Sequence, residues 1–87
     1  MTPQKKAHEA LLQGISLHQA NRLAEAIVCY EKAILLQKDN AIAYSNLALA
    51  MQSLGDFSRA TSNFKKAIAI KPDFDQAHYN FAVLKQE

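Results

Sequence analysis

The chain repeats its residues at a spacing of 34 positions, and this period constrains the fold more than any other feature. The identical pairs are Ala7 and Ala41, Ala26 and Ala60, Lys32 and Lys66, Ala33 and Ala67, Ile34 and Ile68, and Asp39 and Asp73. A partial third copy follows, in which Ala43, Asn46, Ala48 and Gln52 recur as Ala77, Asn80, Ala82 and Gln86. A fixed period of this length predicts a solenoid of stacked helical units rather than a fold around one compact core. We therefore expect function to lie on an extended surface.

The composition favours helices throughout. The 87 residues include only two glycines and two prolines, and Ala, Leu, Gln, Lys and Glu dominate. No stretch alternates apolar and polar residues with β-branched enrichment, so the sequence predicts no strand. We expect one all-α domain over residues 1–87. Its five helices are predicted at about 3–19, 23–37, 40–53, 57–70 and 74–86.

Short polar residues mark where these helices begin and end. Thr2, Asp56 and Asp73 each precede a predicted helix and are expected to cap it, because their side chains can accept a bond from a free backbone N–H. Asn21 and Gly55 occupy equivalent turns, and both residue types tolerate positive φ.

Apolar residues at helical spacing indicate which faces pack together. One stripe consists of Tyr44, Leu47, Ala48 and Met51, and the next consists of Ala60, Phe64, Ala67 and Ile68. Large residues alternate with alanines in both stripes, which lets two helices approach closely. This close approach predicts a repeated antiparallel helix hairpin of constant geometry.

These stripes resemble the tetratricopeptide repeat family. Residues 41–74 carry the resemblance best, with residues of the family's kinds at Tyr44, Leu47, Ala48, Met51, Ala60, Phe64, Ala67 and Pro72. Residues 7–40 fit through Gly14, Leu17, Ala26, Tyr30 and Ala33, but have Ala10, Gln13 and Lys38 where the family has an aromatic residue, leucine and proline. The resemblance implies a right-handed α–α superhelix with two repeats, 7–40 and 41–74, and a partial repeat or capping helix at 75–87.

In this family the first helix of each hairpin lines a concave face. The resemblance implies a peptide-binding groove formed by Leu11, Ile15, Ile42, Asn46, Leu49, Gln52, Tyr79, Asn80 and Val83. Most of these side chains are apolar, and an exposed apolar groove generally marks a binding site. We expect a non-enzymatic protein-interaction module that binds an extended or helical peptide segment. The alternative is that neighbouring helices half-cover these residues.

Asn46 and Asn80 recur at equivalent inner positions. A carboxamide both donates and accepts, so a row of asparagines can bond the backbone of an extended peptide. The pair resembles the asparagine ladder in the superhelix of O-linked N-acetylglucosamine transferases; the alternative is that both residues only order the helix interface. Other family members clamp a C-terminal carboxylate with basic residues. This chain has Leu11, Gln76 and Asn80 at those places, so no clamp is expected.

Several classes of function find little support in the sequence. A formal net charge of +2 is too small to predict nucleic-acid binding. The family resemblance places His8 and His18 on the inner face, but the two residues lack the spacing and the partners of a metal site. Cys29 is the only cysteine and is expected to be a packing residue. We expect no enzyme, cofactor or metal. The lone cysteine and the lack of a secretory signal or long apolar run predict a cytoplasmic protein without membrane insertion.

The face of the fifth predicted helix raises a rival hypothesis. His78 and Lys85 suit a solvated end cap, whereas Phe81 does not. Phe81 is therefore a candidate for self-association, in which a structural repeat unit oligomerises through its open ends. A further alternative is that the chain is a targeting fragment of a larger enzyme.

Overall fold

A computed structural model of the chain describes residues 2–85. Its helices are α1 (Pro3–Gln19), α2 (Leu23–Leu36), α3 (Ala41–Ser53), α4 (Phe57–Ile70) and α5 (Asp75–Lys85). The all-α prediction is confirmed, and the predicted bounds agree with these to within one residue. The predicted last residue of α5, Gln86, lies outside the described range.

The predicted caps and turns are confirmed for α1 and α4. Thr2 Oγ1 accepts from the Lys5 N–H at 3.1 Å, and Asp56 Oδ1 accepts from the Arg59 N–H at 3.2 Å. Asn21 has φ 60° and Gly55 has φ 85°, as their equivalent turns require. These bonds satisfy backbone donors that have no partner within the helix.

The prediction that Asp73 caps the fifth helix is wrong. The Phe74 N–H donates to the Lys71 carbonyl at 3.0 Å and closes a turn with Pro72 as its second residue. Helix α5 therefore begins at Asp75, and Phe74 occupies the capping position. In the equivalent turn one repeat earlier this position holds Asn40, whose Oδ1 accepts from the Ala43 N–H at 3.1 Å.

The helices form two hairpins and one further helix. Helix α1 packs on α2, α3 on α4, and α4 on α5, while α2 joins the two hairpins by packing on α3. The contacts are made largely by fully buried alanines, among them Ala26, Ala33, Ala48, Ala60 and Ala67. Small residues let the helix backbones approach, as the stripes predict. None of the described helices has the length and hydropathy that crossing a bilayer requires.

Tyr30 and Phe64 are the two largest fully buried side chains, and they occupy equivalent positions in the two hairpins. Tyr30 packs directly on Gly14, where a β-carbon would lie only 2.6 Å from Tyr30 Cε1. The first hairpin therefore needs a glycine at the position where the second has Ala48.

Candidate functional site

The inner helices α1, α3 and α5 lie side by side, because α1 contacts α3 and α3 contacts α5. Two adjoining depressions, of 310 and 380 Å³, share His18 and form what we call the inner groove. The inner groove is lined by Ile15, His18, Gln19, Tyr30, Asn46, Leu49, Gln52, Ser53 and Phe57. Most of it therefore lies between α1 and α3.

Four of the residues that the sequence places on the inner face lie together in this groove. Ile15, Asn46, Leu49 and Gln52 are all half-buried, with part of each side chain open to solvent. Ile15 and Asn46 line the smaller depression, and Leu49 and Gln52 line the larger one. The groove thus combines aliphatic side chains with two carboxamides.

The assignment of Leu11 to the groove is wrong, because this side chain is only 6% exposed and belongs to the core. Ser45 holds the equivalent place on α3 and is 3% exposed, whereas Tyr79 holds it on α5 and is 69% exposed. This position is buried in both units that have a following inner helix. We infer that the next inner helix covers it, which a pattern read within one hairpin does not reveal.

The remaining predicted residues lie outside the inner groove. Ile42 is exposed and lines a separate depression near Asn40 and Ile70. Tyr79 and Val83 are exposed on α5, and Asn80 beside them is half-buried. Asn46 and Asn80 keep equivalent places on their helices, but only Asn46 lines the inner groove. A ladder formed by the two asparagines stays a prediction.

Phe81, the predicted self-association residue, is half-buried. Its ring stacks on Phe64 with the centroids 6.1 Å apart, and the Lys85 Nζ lies 5.1 Å from the Phe81 centroid. The ring therefore contacts the core through Phe64 and lies within cation–π distance of the Lys85 ammonium group.

A hydrogen bond links the groove to the core of the first hairpin. His18 Nδ1 lies 3.1 Å from the Tyr30 hydroxyl, and the two rings meet edge to face. Burial, followed by the neighbouring Cys29, raises the pKa of Tyr30 to about 12, so the phenol keeps its proton. Partial burial lowers the pKa of His18 and favours the neutral ring. We therefore assign the phenol O–H as the donor to Nδ1, which leaves the imidazole proton on Nε2.

Sequence reasoning placed His18 on the inner face but missed Tyr30 and Phe57 as groove residues. A signal for Tyr30 exists, because Phe64 at the equivalent position has no hydroxyl. A buried phenol requires a hydrogen-bond partner, so the hydroxyl predicts a polar partner on the facing helix, which His18 supplies. For Phe57, the first residue of α4, we find no comparable signal.

The electrostatic character of the inner groove is neutral. None of the residues that line it is Lys, Arg, Asp or Glu, and burial favours the uncharged form of His18. Among residues 2–85, no hydrogen bond engages the Asn46 carboxamide, and its polar atoms stay open to solvent. The groove therefore offers free donors and acceptors beside the apolar side chains of Ile15, Leu49 and Phe57.

Comparison with protein families decides what kind of chain this is. A model described as tetratricopeptide repeat matches residues 41–74, and one described as TPR repeat matches residues 14–55. The chain belongs to the tetratricopeptide repeat (TPR) family. The two matches together span residues 14–74, which include the second hairpin, most of the first and every residue that lines the inner groove.

Individual TPR proteins with similar sequences are larger than this chain. The tetratricopeptide repeat and J domain-containing co-chaperone DNJ1 of Fusarium oxysporum f. sp. lycopersici is 39% identical over 61 residues, which cover 70% of this chain and 12% of that protein. The protein STIP1 homolog of Dictyostelium discoideum is 32% identical over 74 residues, which cover 85% of this chain and 13% of that protein. The chain therefore spans a small part of these relatives.

A solved structure supports the fold at higher coverage. The TPR2B domain of yeast Sti1, in a complex with pHsp70, superposes with a TM-score of 0.90 at 31% identity. The match covers 93% of this chain and 65% of that chain. The superhelical TPR architecture implied by the sequence is therefore confirmed.

Proposed function

We propose that this TPR chain is a protein-interaction module that binds a peptide segment in its inner groove. The observation that carries the proposal is the free Asn46 carboxamide, which is half-buried in a groove that the apolar side chains of Ile15 and Leu49 also line. A polar group held in an apolar groove is the arrangement that gives a peptide both affinity and register.

Similarity to interaction proteins supports the general class. One relative is a co-chaperone, and the TPR2B domain of yeast Sti1 has been solved in a complex with pHsp70. Both are helical repeat chains with at least 30% identity to this one over the matched region. A binding role accounts for the open groove without requiring any chemical step.

The groove's neutrality narrows the ligand that we propose. A carboxylate clamp would need cationic side chains, whereas this chain has buried Leu11, exposed Gln76 and half-buried Asn80 at the family's clamp positions. We therefore propose an uncharged segment with apolar side chains, whose backbone bonds Asn46 and, as a second rung, Asn80. Affinity for such a segment should change little with ionic strength, because no fixed charge in the groove is screened.

The test begins with a displayed library of linear peptides selected on the wild-type chain. The selected peptide should bind Asn46→Ala and Asn80→Ala about two- to twelvefold more weakly, as expected for one lost hydrogen bond in each case. Leu49→Glu should weaken binding most, since it introduces a charge into an apolar wall. Isothermal titration calorimetry at low and high salt measures all of these.

Leu35→Glu is the matched control, because Leu35 is exposed on α2 and does not line the inner groove. It makes the same chemical change as Leu49→Glu and should leave affinity unchanged. Equal affinity of the selected peptides for wild type and Leu49→Glu would refute the groove. Loss of binding in Asn46→Ala but not in Asn80→Ala would retain the groove and refute the two-rung ladder.

A further inference from the structure

Helices α3 and α5 occupy equivalent places in successive repeats, and each packs one face on the hairpin helix before it. That face is buried on both helices, through Ala43 and Ala50 on α3 and through Ala77 and Leu84 on α5. Helix α2 covers this face of α3, and α4 covers this face of α5. The two helices therefore sit in the same packing arrangement on one side.

The other face differs between the two helices. On α3, Ala48 and Met51 are buried beneath α4, whereas their equivalents on α5, Ala82 and Lys85, are exposed. No helix among residues 2–85 packs on this face of α5. Instead α4 and α5 border a depression of 520 Å³, which we call the α5 face. It is lined by Lys65, Ile68, Ala69, His78, Phe81, Ala82 and Lys85.

The α5 face has an apolar floor and a basic rim. Phe81 and Ala82 form the floor on α5, while Lys65, His78 and Lys85 surround it. None of the lining residues is acidic. A helix that covered Ala82 as α4 covers Ala48 would bury small residues of its own against the floor. Charged residues on either side of that buried stripe would lie close to the ammonium groups of Lys65 and Lys85.

The way α4 covers α3 shows which positions of such a helix would meet that rim. Asn63 Nδ2 lies 3.2 Å from Met51 Sδ, so the position of Asn63 is the one that would lie against Lys85. The Lys66 Nζ lies 5.6 Å from the centroid of the Tyr44 ring, so its position would lie near His78. An acidic residue at each of the two positions would complement the α5 face.

We propose that the α5 face binds, in the geometry of α4 on α3, an amphipathic helix of a partner protein that carries acidic residues at these two positions. Small residues at the places of Ala60 and Ala67, and a large apolar residue at the place of Phe64, complete its apolar stripe. This second site lies outside the inner groove and does not depend on the function proposed for it.

Charge favours such a partner over a second copy of the chain. Helix α1 forms the opposite end of the solenoid, and its side chains include Lys5, Lys6 and His8 but only one acid, Glu9. End-to-end stacking would therefore bring a basic helix to a basic rim. Like charges at an interface oppose association, so an acidic helix is the better occupant.

The probe is a synthetic peptide with the sequence of residues 57–70 in which Asn63→Glu and Lys66→Glu are introduced. A staple joining positions 58 and 62, both exposed on α4, keeps this short helix folded. The matched peptide carries Asn63→Lys and retains Lys66. Binding to the full chain is measured by fluorescence anisotropy at low and high salt.

We expect the acidic peptide to bind wild type about tenfold or more tightly than the basic peptide, and less tightly at high salt. Lys85→Glu should weaken the acidic peptide by a similar factor and improve the basic one. Lys38→Glu, at an exposed lysine on the α2–α3 turn, is the control and should change neither by more than about twofold.

Three results would overturn the proposal. The first is equal affinity for the two peptides, or no binding of either, which would make the α5 face a solvated end cap. The second is weakening by Leu49→Glu instead of Lys85→Glu, which would place the peptide in the inner groove. The third is a dimer in sedimentation equilibrium that Lys85→Glu dissociates, which would assign the face to a second copy.

Discussion

The two hairpins share a backbone plan but differ in how their cores connect to the inner surface. In the first hairpin Tyr30 packs on Gly14 and its hydroxyl bonds His18 in the groove. In the second, Phe64 occupies the equivalent place with a ring that has no hydroxyl, and this ring stacks on that of Phe81. The first hairpin therefore joins its core to the groove by a polar contact, whereas the second joins its core to α5 by an apolar one.

This difference shows how two repeats with the same backbone fold can make different contacts at the inner surface. The period sets three buried alanine positions that both units share, namely Ala7 and Ala41, Ala26 and Ala60, and Ala33 and Ala67. The aromatic position, which holds Tyr30 or Phe64, and the inner position, which holds His18 or Gln52, vary without disturbing the hairpin. The local variation thus determines whether a repeat supports a polar groove or stacks on the next unit.

The largest expected effect comes from removing the apolar connection of the second hairpin. Phe64→Ala should lower the free energy of unfolding by about 3–5 kcal/mol, because it leaves a cavity beneath α3 and α5. Urea denaturation followed by circular dichroism measures the change. A loss below about 1 kcal/mol would contradict the central place of Phe64 in the core.

A smaller loss in the free energy of unfolding should follow from Gly14→Ala, which crowds the close contact with Tyr30 that distinguishes the first hairpin. The new β-carbon would overlap the Tyr30 ring, at a cost of about 1–3 kcal/mol that the better helix propensity of alanine offsets by up to about 1 kcal/mol. Urea denaturation of the wild type and of Gly14→Ala should therefore show a lower free energy of unfolding for the variant.

The hydroxyl bond to His18 should control the size of that penalty. In a Tyr30→Phe background the ring is free to shift, so Gly14→Ala should cost less there than in the wild type. A penalty that is identical in both backgrounds would contradict the idea that His18 holds the ring against Gly14. Ala48→Gly is the control, and its effect on the free energy of unfolding should be the same with Tyr or Phe at position 30.

Tyr30→Phe alone should cost about 0.5–1.5 kcal/mol, the usual value of one hydrogen bond, because the ring itself is retained. It makes the aromatic position of the first hairpin the same as that of the second. Urea denaturation measures the loss, and the Nε2–H tautomer of His18 can be checked by its ¹⁵N chemical shifts. Unchanged stability and an unchanged tautomer would contradict the bond.

The smallest effect is expected from pH. The folded state lowers the pKa of His18 beneath its ordinary value of 6.5, so the unfolded chain takes up the proton more readily as pH falls. Stability contributed by the neutral ring is therefore present above pH 6.5 and lost as the pH falls through that value towards the lower pKa of the folded state.

His18→Gln isolates this contribution, because Gln52 is the equivalent residue in the second hairpin. Urea denaturation at about pH 7 and about pH 5 should show a larger loss on acidification for wild type than for His18→Gln. A larger loss for the variant would mean that the folded state favours the charged ring, contrary to the structure.

Most of the fold could be predicted from sequence because it depends on local signals and on the period. Thr2, Asn21, Gly55 and Asp56 mark helix ends by their own backbone and side-chain chemistry, and the structure agrees at each. Asp73 misleads because the turn closes at Phe74, as the equivalent turn without a proline closes at Asn40, so the capping position falls one residue after the acidic residue. Such an offset depends on the turn closed at Phe74.

The site was less predictable, since it depends on contacts between repeats. Leu11 has the spacing of an inner-face residue but is buried, and we attribute this to the following inner helix. Ile15, Asn46 and Leu49 come together only once α1 lies against α3. The Tyr30 contribution required comparing two repeats at one position rather than reading either repeat alone.

The most direct test of the inner groove is an amide NMR titration of the ¹⁵N-labelled chain with a peptide selected on it. Our account predicts that the largest shifts fall on Ile15, His18, Asn46, Leu49 and Gln52, including the side-chain amide of Asn46. The Asn46 side-chain signal should also become protected from exchange when its carboxamide bonds the peptide. Shifts confined to α2, or to the α5 face around Ala82 and Lys85, would contradict the claim that the inner groove is the binding site.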